Sequence, residues 1–158
     1  MYGVNASIPK TLIRWMIDAI SETPQFAASR EVLKDILDTP ISPELLPPDE
    51  KGKIAQYTED LVGPYALHDF FLYHMMRYSF SPTKIYTMAC RAFEGDFDPE
   101  TIKKWLKAFY RRFFTQQFKR SCMPDGIKVG NISLSPRGDW RMPSDASGRI
   151  WLDEIEKL

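Results

Sequence analysis

Apolar side chains recur three and four residues apart along much of this sequence, which is the spacing that places them on one face of an α-helix. The first such stretch runs from about Pro9 to Ser21 and carries Leu12, Ile13, Met16, Ile17 and Ile20 on one face. A shorter one follows Ser29, a residue type that caps helix N termini, and carries Val32, Leu33, Ile36 and Leu37. The pattern predicts a mainly α fold.

Later helix starts are marked by proline. A third helix is predicted after Gly63-Pro64, running to about Tyr78, and it is apolar nearly all round, as expected of a central buried helix. Ser81-Pro82 and Asp98-Pro99 each place a capping residue before a proline at the first helical position, where its missing N–H costs nothing. They predict helices over Thr83–Phe93 and from Glu100 to about Phe118.

The final helix is predicted over roughly Asp145–Lys157, with Ile150, Trp151 and Ile155 as its apolar residues. Two stretches break the helical pattern. Asp38–Lys53 contains four prolines and a glycine, so helix cannot persist through it. Arg120–Pro143 is 24 residues long and has neither helical nor strand periodicity. A loop of that length in a compact domain is usually functional or disordered, and we expect this one to be mobile and functional.

Charge is unevenly distributed although the formal net charge is zero. Residues 1–60 have ten acidic side chains against six basic ones, whereas Arg111–Arg141 has seven basic side chains against two acidic ones. The aromatic residues Phe114, Phe118 and Trp140 are interspersed among these bases. Bases and flat rings together suit a ligand that has both phosphates and rings, which describes a nucleotide or a nucleic acid equally well. A solvated basic surface explains the pattern too.

Several classes of function lack support in the residues. No apolar run is long enough to span a bilayer and no signal peptide opens the chain, so we expect a cytoplasmic protein without membrane contact. Cys90 and Cys122 lack metal-ligand spacing and are expected to be reduced structural thiols. His68 and His74 fall on different sides of a helix and are expected to pack rather than share a metal, so no metal site is predicted.

Five stretches resemble one enzyme family in that family's order: YGVNASIPKTLI, LDTPISPELLP, EDLVGPYALHDFF, RRFFTQQFKRSCMPDG and KVGNISLSPRGDWRMPSD. They look like the C-terminal part of bacterial glutamine-dependent NAD synthetases. The family joins a nitrilase-like glutaminase domain to a synthetase domain of the ATP-pyrophosphatase type. The resemblance implies adenylation of deamido-NAD with ATP and magnesium, followed by displacement of AMP by glutamine-derived ammonia.

The family's SGGxDS pyrophosphate loop, the glutamate-bearing part of its deamido-NAD pocket and its glutaminase triad lie upstream of these stretches, and this sequence contains none of them. We therefore expect residues 1–158 to be a C-terminal fragment of the synthetase domain, inactive alone and with no cofactor bound. The first and third helices are expected to have lost a sheet against which to pack. We expect the exposed apolar area to favour a homo-oligomer.

Two positions match functional residues of the family. The resemblance implies that Lys119, in FKRS, binds deamido-NAD, whereas spacing alone favours a solvated lysine at a helix end. Asp139, in RGDW, matches an acid on a loop over the synthetase site, where it would orient ammonia or accept its proton; a turn-forming aspartate is the alternative. Arg137 and Arg141 are weaker candidates for phosphate contacts.

Two other classes of function stay open at this point. The first is a non-catalytic helical module that binds RNA or a nucleotide, although the preferred interpretation has no nucleic-acid partner. The second is a protein-interaction domain that uses the exposed apolar surface.

Overall fold

The computed structural model describes residues 3–39 and 62–158. Helices are the regular secondary structure of this described part, which confirms the predicted mainly α fold. They are α1 (Lys10–Ser21), a 3-10 helix (Pro24–Ser29), α2 (Arg30–Asp38), α3 (Tyr65–Tyr78), α4 (Pro82–Ala92), α5 (Pro99–Thr115), α6 (Gln117–Ser121) and α7 (Arg149–Glu156). None of these helices has the length and hydropathy needed to cross a membrane. The connection predicted over Asp38–Lys53 lies, from Pro40 onward, outside the described residues.

The chain divides into two compact units, one of residues 9–65 and one of residues 1–8 with 66–158. Charged contacts link α1 and α2 in the described part of the smaller unit. Lys34 of α2 contacts Asp18 at 2.6 Å and Glu22 at 3.0 Å, and Arg14 of α1 donates to the Leu37 carbonyl at 2.7 Å. Trp15 is 72% exposed and Val32 62% exposed, so apolar side chains on both helices face solvent.

The larger unit has a hydrophobic core built from α3, α4, α5 and α7. Its fully or nearly fully buried members are Leu67, Phe71, Met75, Ile85, Ala89, Ile102, Leu106, Phe109, Tyr110, Phe113, Phe114 and Ile155. The prediction that α3 is a buried helix is correct for one face, since Tyr73 and Tyr78 on the same helix are exposed. On α1, the apolar residues Leu12, Trp15, Met16 and Ile20 are exposed, and the loss of a sheet against which the first and third helices pack stays a prediction.

The two proline-marked starts have the predicted chemistry. The Ser81 hydroxyl accepts a hydrogen bond from the Lys84 amide, and the Asp98 carboxylate accepts one from the Thr101 amide at 2.8 Å. Both bonds satisfy amide groups that the first turn of a helix leaves without an intrahelical acceptor. Pro9 was predicted as the first residue of α1, but the helix begins one position later, at Lys10, and Pro9 is its N-cap residue.

Two predicted helices have different bounds. The helix expected to reach about Phe118 ends at Thr115, and after Gln116 the chain continues as α6, whose Gln117 side chain is buried. The last helix begins at Arg149 rather than at Asp145. Gly148, directly before α7, lies against the ring of Phe114, so this part of the chain packs on α5. Of the apolar residues named for this helix, Ile150 is 76% exposed, whereas Trp151 and Ile155 pack against the core.

The stretch from Cys122 to Pro143 contains neither helix nor strand, and we call residues 122–143 the basic loop. This confirms most of the segment predicted to be irregular, Arg120–Pro143, but its first two residues, Arg120 and Ser121, belong to α6. The N-terminal segment packs on it. The Gly3 amide donates to the Asp125 carbonyl at 2.6 Å, and the Val129 amide donates to the Ser7 hydroxyl at 2.8 Å. A Cβ atom at Gly126 would lie 2.1 Å from the Gly3 carbonyl oxygen, so only glycine permits this approach.

Candidate functional site

A cavity of about 230 Å³ opens in the larger unit where α3, α5, α6 and the basic loop meet. The lining residues of α5 are spaced three and four apart and so share one face of that helix, and α6 with the preceding Gln116 continues the wall. Lining residues are His68, Leu72, Phe109, Arg112, Phe113, Gln116, Lys119, Arg120 and Leu134. Three of these side chains are cationic and none is acidic. The cavity is therefore suited to an anionic ligand that also has an apolar part.

The three cations differ in how firmly they are held. Arg120 is the most constrained: its Nε donates to the side-chain Oε1 of Gln117 at 2.7 Å, and its guanidinium lies 4.1 Å from the centre of the Phe113 ring. Burial lowers the pKa of Arg120, although an arginine remains charged at neutral pH. The side chains of Arg112 and Lys119 have no hydrogen-bond or ion-pair partner among the described residues. Their charges are therefore available to a ligand.

His68 adds a neutral polar group to the cavity. Its ring meets the edge of Phe109, with centroids 5.2 Å apart. Burial lowers the pKa of His68, and the Arg112 charge lowers it further, against the opposing effect of Asp69. His68 is therefore uncharged at neutral pH and can donate one hydrogen bond to an anion. His74 packs among aromatic rings, stacking on Phe80 at 6.0 Å, as predicted for it. His68 packs on Phe109 as well, but it also lines the cavity.

Lys119 is the sequence-predicted site residue that lines this cavity. It lies on α6, exposed, one residue before Arg120. The other three predicted residues belong to the basic loop and are not part of the lining. Arg137 donates to the Asp125 carboxylate at 2.7 Å and to the Met123 carbonyl at 2.5 Å, so it ties the loop to itself. Arg141 is exposed and has no side-chain partner in the described part of the chain.

Asp139 is engaged through one carboxylate oxygen. Its Oδ2 accepts from the Ser133 amide at 2.8 Å and lies 2.7 Å from the Lys128 ammonium. The hydrogen bond from Lys128, supported by the Ser133 amide, lowers the pKa of Asp139. A carboxylate of low pKa is a poor proton acceptor but a good hydrogen-bond acceptor. Oδ1 has no partner among the described residues and can accept such a bond.

Two of the aromatic rings expected beside the bases serve the core instead. Phe114 stacks on Trp151 with centroids 4.6 Å apart, and Trp140 meets Phe113 edge to face at 5.3 Å. Trp140 therefore anchors the basic loop against a ring that lines the cavity. Phe118 is 54% exposed and is the member of the three that a flat ligand could reach.

Sequence reasoning missed Arg112 and His68 as site residues. A signal for Arg112 was present, because Phe109, Arg112, Phe113, Gln116 and Arg120 follow the spacing of one helix face. No comparable signal marks His68, which lies 44 residues before Arg112 and reaches the cavity only through packing of α3 on α5. In the described ranges, no group of three or more His, Cys, Asp and Glu side chains is placed to hold a metal ion.

No protein-family model matches the sequence. Over 99% of its length the chain is similar to the glutamine-dependent NAD(+) synthetase of Mycobacterium leprae (strain TN), with 44% identity. The protein of the same name from Mycobacterium tuberculosis (strain ATCC 25618 / H37Rv) is 43% identical over the same share of the chain. The chain spans 26% of the length of each of these relatives.

The fold has a counterpart among solved structures. The crystal structure of a glutamine-dependent NAD(+) synthetase from Cytophaga hutchinsonii superposes with a TM-score of 0.67. The match covers 98% of this chain and 22% of that one, at 19% sequence identity. At that identity the match shows a shared fold.

Proposed function

This chain is a homologue of part of the glutamine-dependent NAD(+) synthetases, as the resemblance of its motifs predicts, and we propose that it forms the C-terminal segment of such a ligase. The proposed reaction converts deamido-NAD to NAD with ATP and glutamine-derived ammonia. The observation that carries the proposal is the cavity in which Lys119 lies with Arg112 and Arg120 and with no acidic residue. Deamido-NAD has a pyrophosphate and a nicotinate carboxylate, and such a wall of cations would stabilise either group.

In this proposal the segment supplies binding groups, and the adenylation chemistry is supplied elsewhere. The described carboxylates do not cluster as magnesium ligands would, so they do not fit a magnesium site. The sequence also lacks a glycine-rich phosphate loop for ATP. We therefore assign the contacts to ATP and magnesium to parts of the enzyme outside these residues. The 158 residues alone would not make NAD.

Lys119 is the substrate-binding residue that we propose with most support. Its side chain is exposed and lines the cavity, and its position next to the constrained Arg120 places two positive charges on one short helix. A lysine can meet a carboxylate or phosphate as a point charge from several directions, whereas the fixed arginine offers one geometry. Together they would hold an anion and still tolerate movement of the substrate during the reaction.

We propose that Asp139 orients ammonia rather than removes its proton. The free Oδ1 atom would accept a hydrogen bond from the incoming amine, while Lys128 and Ser133 hold Oδ2. The lowered pKa of Asp139 favours this role, because it keeps the carboxylate ionised and makes it a weak base. Arg137 and Arg141 remain candidates for phosphate contacts; Arg137 would first have to leave Asp125.

The proposed partners are those of the parent enzyme. Deamido-NAD, ATP and ammonia are proposed as its substrates, and the homo-oligomer, the cytoplasmic location and the lack of a nucleic-acid partner stay predictions. Exposed apolar side chains on α1 and α2 support self-association, because a monomer seldom leaves such area uncovered.

The test is Lys119→Ala in the complete enzyme that contains this segment. A charge-assisted contact to an anion contributes about 1.5–3 kcal/mol, so kcat/KM for deamido-NAD should fall about tenfold to a hundredfold. The KM for ATP and the hydrolysis of glutamine should change little. Lys119→Arg should restore part of the loss.

Lys157→Ala is the matched control, because it removes an exposed lysine outside the cavity. It should leave deamido-NAD kinetics unchanged. Equal kinetics for Lys119→Ala and Lys157→Ala would return Lys119 to the role of a solvated lysine at a helix end. Binding of single-stranded RNA at physiological salt, with no effect of deamido-NAD, would favour the nucleic-acid-binding alternative.

A further inference from the structure

Gln117 is a polar side chain with no exposed area, at the start of a short helix whose next two residues are exposed. Burying an amide is unfavourable unless its donor and its acceptor are both satisfied. Both are satisfied here. The Gln117 Nε2 donates to the Met142 carbonyl at 3.0 Å, and its Oε1 accepts from the Arg120 Nε at 2.7 Å.

These two hydrogen bonds join parts of the molecule that have different tasks. Arg120 lines the basic cavity, and Met142 lies near the end of the basic loop, beside Arg141. One buried amide therefore connects the cavity wall to the segment that carries the proposed Asp139. Because both ends of the amide are hydrogen-bonded, movement of the Met142 segment would displace Arg120, and the reverse.

The second guanidinium contact also restricts Arg120. Its Nη2 donates to the Phe113 carbonyl, one of the last carbonyls of α5 and therefore without an intrahelical partner. With Nε on Gln117, Nη2 on Phe113 and the plane of the group against the Phe113 ring, the side chain has one orientation. The Nη1 atom has no partner among the described residues and remains for a ligand.

We propose that Gln117 is a positioning residue that aims the Arg120 guanidinium at the anionic group bound beside Lys119. The proposal rests on the proposed function, since it takes deamido-NAD as the ligand. Gln117 does not touch the substrate. Gln117 fixes the Arg120 side chain before the ligand binds. Arg120 therefore loses less conformational entropy when it contacts the ligand.

A purely structural role for Gln117 makes a different prediction. In that case the amide only fastens the basic loop to α6, and Arg120 only caps α5. Substitutions would then lower stability without changing the affinity for deamido-NAD. The two roles are separated by comparing a variant that keeps neither hydrogen bond with one that keeps only the bond to Arg120.

Gln117→Met and Gln117→Glu in the complete enzyme make this separation. Methionine is similar in length and keeps neither bond. Glutamate keeps an acceptor for Arg120 but cannot donate to the Met142 carbonyl. We expect Gln117→Met to raise the KM for deamido-NAD about tenfold, with the KM for ATP within about twofold. In urea unfolding, Gln117→Glu should be less stable than Gln117→Met. It should nevertheless raise the KM for deamido-NAD less than Gln117→Met does.

A double-mutant cycle with Arg120→Met tests the link between the two residues. If Gln117 acts through Arg120, Gln117→Met should have little further effect on the KM for deamido-NAD when Arg120 is already methionine. Additive effects, or an unchanged KM for Gln117→Met, would overturn the proposal. If Gln117→Met fails to fold, an unchanged KM for Arg120→Met alone would overturn it as well.

The outcome also distinguishes this proposal from the proposed function. A large effect of Lys119→Ala on deamido-NAD without an effect of Gln117→Met would refute the positioning role and leave the substrate site standing. No effect of Lys119→Ala, Arg120→Met or Gln117→Met would refute both.

Discussion

Replacing Gly148 by alanine tests how the irregular chain meets the core before α7. A Cβ atom at this position would lie 2.7 Å from Cδ2 and 3.0 Å from Cγ of Phe114. Carbon atoms that are not bonded prefer separations of about 3.5–4.0 Å, so one of the two must move. Phe114 has little room, since it is 6% exposed and its ring stacks on Trp151 at 4.6 Å.

Two opposing contributions decide the sign of the effect. Alanine restricts the unfolded chain relative to glycine and would stabilise the protein by about 0.4–1 kcal/mol at a compatible site. Overpacking of a dense core typically costs about 1–3 kcal/mol. The steric cost is the larger, and we expect Gly148→Ala to destabilise the larger unit by about 1–2 kcal/mol.

The measurement is native-state hydrogen exchange of the amides of α7 and the second half of α5, because it reports the larger unit without the smaller one. Gly138→Ala is the matched control. The nearest atom to a Cβ there is the Ser135 carbonyl oxygen at 3.8 Å, an ordinary contact, so this variant should be neutral or slightly stabilised.

Two further variants test the mechanism. Gly148→Ser introduces a residue type that is favoured at helix N-caps, but serine has the same Cβ as alanine. It should therefore not recover the stability lost in Gly148→Ala. Phe114→Leu should reduce the cost of Gly148→Ala, because leucine lacks the rigid ring and can turn its Cδ atoms away from the added Cβ. The reasoning is refuted if Gly148→Ala is as stable as the parent chain, or if its cost is the same beside leucine.

Two other outcomes follow from buried or paired polar groups. The folded pKa of Asp139 is lowered by Lys128, so the contact to the Ser133 amide stabilises the loop above the unfolded pKa of about 3.9 and is lost as pH falls through the folded pKa. Lys128→Met should shift the carboxyl titration of Asp139 to higher pH in NMR spectra, and an unmoved titration would contradict the ion pair. The Tyr110 hydroxyl is buried without a hydrogen-bond partner among the described residues, and burial raises its pKa. Tyr110→Phe should leave stability unchanged or raise it by up to about 1 kcal/mol in urea unfolding, whereas a loss above that size would show that the hydroxyl has a partner.

The elements set by short-range chemistry were predictable from the sequence. Ser81-Pro82 and Asp98-Pro99 start helices at those positions because a capping oxygen and a proline act within one turn. The basic loop was predictable for the same kind of reason, since it lacks any period that would bury one face. Lys119 was predicted from the resemblance of its motif, and its place in a cation-lined cavity supports the proposed role.

Tertiary packing decided the rest. The break after Thr115 turns Gln117 inward, and no local preference of glutamine predicts a buried amide bonded to a residue 25 positions later. The same is true of His68, which joins Arg112 only because α3 packs on α5, and of Asp139, which Lys128 and Ser133 hold by one oxygen outside the cavity lining. The capped helix starts and the irregular basic loop depend on neighbours within a few residues, so the sequence alone determined them. The composition of the site depends on which distant side chains meet, and only the folded chain determines that.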